Sequence, residues 1–137
     1  MRLSLKISVL VALMSGLCVG QETVFSGMPV TKISEGGVER TVEDIKAPRS
    51  AQLMCIITKV GDKYFWSTRE GKEMVRLASG AFITFLAVDG AGYVRVLLPE
   101  MKAVASLTGE AEKRFDYVEH LQIGLRSVTY YGNRSGR

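Results

Sequence analysis

Residues 53–98 read LMCIITKVGDKYFWSTREGKEMVRLASGAFITFLAVDGAGYVRVLL: five apolar, β-branched or aromatic runs, separated by short polar stretches that each carry a glycine. The runs span residues 53–60, 64–68, 74–78, 82–88 and 93–98, and the breaks hold Gly61, Gly71, Gly80 and the pair Gly90 and Gly92. Runs of this length, rich in Val, Ile, Phe and Tyr, are the pattern of strands rather than helices. Glycine in each break supplies the positive φ that tight hairpins require, so consecutive strands are expected to pair antiparallel in a meander. Pro99 then ends the fifth strand, because it removes a donor and fixes φ.

Working towards the C-terminus, residues 101–108 read as a connector assigned to neither helix nor strand, and residues 109–114 are polar and read as exposed. Beyond them, Phe115, Tyr117, Leu121, Ile123 and Leu125 share one face at period two, with Glu119 the single residue out of place. At helical period the apolar set is Phe115, Val118 and Leu121, with Gly124 as a stop; strand is the favoured reading. Residues 127–131 are β-rich in composition and residues 133–137 read as a flexible tail.

Towards the N-terminus the pattern changes. Arg2 and Lys6 precede an apolar run over residues 7–17, which closes on Cys18, Val19 and Gly20. That is the layout of a secretory signal peptide cleaved before Gln21, and the run is too short for a permanent span. A lipid anchor through Cys18 fits poorly, since Ser15 and Leu17 stand where that pattern wants a leucine and a small residue. Residues 21–50, with Gly36-Gly37, Met28-Pro29 and Ala47-Pro48, are expected to form a polar, partly ordered arm holding at most a short strand over residues 28–33. The expected organisation is therefore a signal peptide at 1–20, the arm at 21–50, a single β domain at 51–132 and the tail at 133–137.

The chain has 137 residues, 47% of them hydrophobic and 23% charged, with a formal charge of +4. That suits one globular domain and excludes a disordered polymer. Loss of Arg2 and Lys6 with the signal leaves 16 cationic and 14 anionic side chains, a net charge of +2 over 117 residues. Most cations stand beside an acid, as in Glu39-Arg40, Asp62-Lys63 and Lys72-Glu73. No stripe able to neutralise several phosphates results, so a nucleic-acid partner is not expected. Cys55 is left without an intrachain partner, so stability must come from the core.

Five or six short strands cannot leave one apolar sheet face wet. The fold class expected is mainly β, a small antiparallel meander closing into a barrel or compact sandwich. The runs at 53–60 and 82–88, apolar on both faces, are expected to be central and covered twice. The segment Gly92-Tyr93-Val94-Arg95-Val96 resembles the fourth-strand region of bacterial SH3-like domains, where a glycine and an aromatic precede a valine. Over those five residues the resemblance implies a small SH3-like barrel and transfers no binding residue.

Candidate chemistry is sparse. His120 is the only histidine, and with Cys55 alone beside it a structural zinc site is not expected; no metal or cofactor is called for. Cys55 lies inside Leu53-Met54-Cys55-Ile56-Ile57, where burial suppresses a thiolate, and reads as a small core residue. No Gly-x-Ser-x-Gly elbow or phosphate-binding loop occurs. Asn133-Arg134-Ser135 has the form of a glycosylation acceptor, placed by this reading in an exposed tail.

The aromatic strand is the best candidate site. Tyr64 and Trp66 share a face opposite Phe65, and if Phe65 is core the pair points outward. With Tyr93 and Arg95 it would make a ligand platform for an envelope glycan, a peptide or a protein strand; the competing reading makes these aromatics barrel closures. The expected function is an exported, non-catalytic binding or interaction module at the cell envelope or outside the cell, with no membrane span after cleavage. The alternatives are an envelope hydrolase using carboxylates near Glu70, Asp89 and Glu119 with His120, and a self-associating protein that donates its arm to a second copy.

Overall fold

The computed structural model describes residues 20–37, 39–46, 51–98 and 115–135. Residues 1–19 of the expected signal segment, the connector at 101–108 and the polar stretch at 109–114 lie outside these residues. Nine strands follow in order among the described residues: β1 (Gln21–Gly36), β2 (Glu39–Asp44), β3 (Cys55–Val60), β4 (Lys63–Trp66), β5 (Lys72–Ser79), β6 (Phe82–Ala87), β7 (Gly92–Leu97), β8 (Tyr117–Ile123) and β9 (Arg126–Arg134). A single 3-10 turn, Ala51–Leu53, precedes β3.

The meander over β3 to β7 is present, and every neighbouring pair from β3 to β9 is antiparallel. The sheet closes because β1 pairs with β3 through its first half and with β9 through its second. The product is an eight-stranded closed antiparallel barrel with β2 added beside the second half of β1. The five or six strands expected are thus too few, and the strand reading of residues 115–125 holds as β8.

Two segments differ from expectation for one reason. Residues 21–36 are a barrel strand, not a loose arm, and residues 133–134 belong to β9, not to a tail. Gly27 and Pro29 read as strand breakers in isolation, yet both are buried. A Cβ at Gly27 or Gly132 would collide with the Tyr117 ring, so the two glycines form the slot that receives it. Pro29 sits where the β1–β9 register shifts, a position that tolerates a missing donor. The acceptor triplet at Asn133 accordingly starts inside a paired strand.

The interior is filled by Phe25, Cys55, Ile57, Trp66, Met74, Phe85, Val94, Val96 and Tyr117. Alternation sends Val75, Leu77, Phe82 and Leu86 to the outer face, where each is 41 to 49% exposed. The outer face of β6 therefore stays exposed at Phe82 and Leu86 and, among the described residues, is not covered a second time. Among the described residues no helix is long and apolar enough to cross a membrane.

Candidate ligand site at a barrel mouth

The β3–β4 and β5–β6 hairpins and the chain ends of β7 and β8 that flank residues 98–116 lie at one end of the barrel; the β4–β5, β6–β7 and β8–β9 turns lie at the other. The two ends differ in charge and in closure.

The second end is sealed by a buried polar cluster. Glu119 alternates with Tyr117 on the inward face of β8 and is fully buried. Its Oε2 accepts a 2.7 Å hydrogen bond from Trp66 Nε1, and its Oε1 accepts one of 2.7 Å from Arg69 Nη2. Arg69 comes from the β4–β5 turn, donates also to the backbone carbonyls of Gln52 and Thr68, and lies 5.6 Å from the Tyr130 ring centre. Cys55 lies beside this cluster, and burial first, then the neighbouring Glu119, pushes its thiol well above the ordinary value. Burial likewise raises Tyr117 far above the phenol range, and among the described residues its hydroxyl and Arg69 Nε have no hydrogen-bond partner. A cavity of about 390 Å³ outside this seal is bordered by Arg69 and Lys72, but Glu119 holds the first and Asp89, at 2.6 Å, the second.

Among the described residues, the first end carries a concave mouth of about 310 Å³. Its floor is Phe25, Phe85 and Val96, each 3 to 5% exposed, and its wall includes Tyr64 and Ile83. Its polar lining is Lys59, Arg76, Arg134 and Glu22. Lys59 follows Cys55 and Ile57 at period two, Arg76 follows Met74, and Arg134 follows Tyr130 and Gly132, so all three cations occupy inward positions on different strands. The Lys59 ammonium lies 5.8 Å from the Tyr64 ring centre, and the Arg134 guanidinium lies 5.7 Å from that of Phe25 and donates to Leu97 O at 2.6 Å. Among the described residues, none of the three cations makes an ion pair.

The four residues expected to form one platform are divided between two faces. Tyr64 and Trp66 do share a face, but it is the inner one: Trp66 is wholly buried, because Glu119 supplies the acceptor its indole needs in the core. Tyr64 lines the mouth, 5.4 Å from Phe85. Tyr93 and Arg95 face outward, with Tyr93 stacked on His120 at 5.3 Å and Arg95 lying over both Tyr93 and Phe82. Glu119 and His120, adjacent on β8, point to opposite sides of the sheet, and Asp89 is engaged with Lys72; the carboxylates and the imidazole do not meet in one cleft.

Sequence reasoning missed Lys59, Arg134 and Phe25 altogether. The available signal was a cation recurring at period two after apolar residues, in Cys55-x-Ile57-x-Lys59 and Met74-x-Arg76. Among the described residues no group of three or more His, Cys, Asp or Glu could hold a metal. Comparison with protein-family models, curated proteins and solved structures finds no match.

Proposed function

We propose that the protein is a non-catalytic binding module that takes a small ligand at the open barrel mouth and works at the cell envelope or outside the cell. One observation carries the reading: among the described residues, three inward-facing cations that make no ion pair border an apolar floor at one end, while at the other end Glu119 holds Arg69 and Asp89 holds Lys72. A concave, mostly apolar site with a few convergent polar groups is the usual form of a small-molecule pocket. The N-terminal signal pattern supports export, and the small SH3-like likeness around Tyr93 adds nothing to this site. Tyr64 is retained as a ligand contact from the aromatic set, whereas Trp66 serves the core.

The test is amide chemical-shift mapping of the purified protein against small neutral, cationic and anionic fragments. Shifts concentrated at Lys59, Tyr64, Arg76, Ile83 and Arg134 are expected for at least one class. No response at the mouth to any class overturns the proposal.

A further inference from the structure

We infer that the mouth selects a single-chain anionic amphiphile, a carboxylate head on a short unbranched hydrocarbon tail; this rests on the binding-module reading above. The head group follows from charge. Among the described residues, Lys59, Arg76 and Arg134 stand against Glu22 as the one acid of the lining, an excess of positive charge over these four side chains. A carboxylate there gains charge-assisted hydrogen bonds that a neutral or cationic head cannot make.

The tail follows from shape. Tyr64, Ile83 and Phe85 offer an apolar wall below the rim. Its depth is limited, because Trp66, Ile57 and Val94, all wholly buried, fill the barrel beyond the floor. A volume of about 310 Å³ holds roughly ten groups at ~30 Å³ each, the share of one water in the liquid. That volume encloses a chain near eight carbons and is too small to enclose both tails of a full-length diacyl lipid.

The inference is tested by calorimetric titration of the purified protein with octanoate, 1-octanol and octylammonium, each below its aggregation limit. Octanoate is expected to bind about tenfold more tightly than octanol, as two or three exposed ion contacts allow. Octylammonium is expected to bind most weakly, and the advantage of octanoate should shrink as salt is raised. The double variant Lys59→Gln, Arg76→Gln should bring octanoate to the level of octanol; Arg76→Gln alone, at an exposed position, gives the same direction should the double variant fold poorly. Equal binding of octanol and octanoate overturns the anion preference and leaves the module reading standing. Octanoate binding unchanged by the variants also overturns it, since the site would then lie elsewhere. Failure of all three probes, together with silent mouth amides, overturns both.

Discussion

Arg69 Nη2 lies 2.7 Å from Glu119 Oε1, joining the β4–β5 turn to the inward face of β8 across the barrel interior, and the Glu119 side chain is 0% exposed. A buried pair of this kind is costly to break one side at a time, because the remaining charge is stranded in a medium that cannot solvate it. Arg69→Ala and Glu119→Ala should each destabilise the fold by about 3–5 kcal/mol, whereas Arg69→Met combined with Glu119→Leu should cost far less than either single change. Urea unfolding midpoints of the three variants check this; equal loss in single and double variants would contradict it.

Trp66 should emit at short wavelength and resist acrylamide, since its ring is wholly buried and its N–H is held by Glu119. Trp66→Ala should cost about 3–5 kcal/mol through the cavity it leaves. Trp66→Phe keeps most of the volume and should cost about 1–3 kcal/mol, the penalty of leaving a carboxylate oxygen without its donor. Fluorescence on the unchanged protein and chemical denaturation of the variants give both readings.

Two glycines separate a strained backbone from a blocked one. Gly61, at φ 62° in the β3–β4 turn, has open space around it, so Gly61→Ala should cost only about 1–2 kcal/mol. Gly92, at φ 155°, faces the His120 carbonyl on the neighbouring strand and the Trp66 ring. A methyl there would collide with backbone, so Gly92→Ala should cost at least ~3 kcal/mol and lower the soluble yield. Thermal melts of the two variants rank them.

Stability should fall as pH rises through the alkaline range. Cys55 and Tyr117 are held protonated in the fold, with their ionisation raised by burial, while the unfolded chain ionises them at ordinary values. Their contribution is therefore complete below pH ~8.5 and declines above it, by about 1.4 kcal/mol per pH unit for each group past its unfolded value. Cys55→Ala should move the onset of the decline up towards the phenol range near pH 10. Unfolding midpoints from pH 7 to 11 test the sign, and a thiol reagent should label Cys55 only as the protein unfolds.

Much of the barrel was legible locally. Alternation at period two and glycine in each hairpin are properties of neighbouring residues, so the strands from Cys55 to Leu97 and the strand character of residues 117–123 could be read directly. The closing strand could not, because Gly27 and Pro29 are breakers in isolation and become acceptable only against Tyr117 and at the β1–β9 register shift. Glu119 was visible as the one residue out of place on an apolar face, but its partners come from Trp66 and Arg69, more than fifty positions away for the first and fifty for the second.

The sequence by itself determined the β class, the hairpin order and the buried character of Cys55, all of which follow from side-chain period and turn chemistry within a few residues. The tertiary structure decided the number of strands in the barrel, the inward turn of Tyr64 and Trp66, and the gathering of Lys59, Arg76 and Arg134 at one mouth. The physical reason is closure. Which face of a strand becomes the inside, and which end of the barrel keeps unpaired charge, is set only when β1 joins β9 and every register is locked at once.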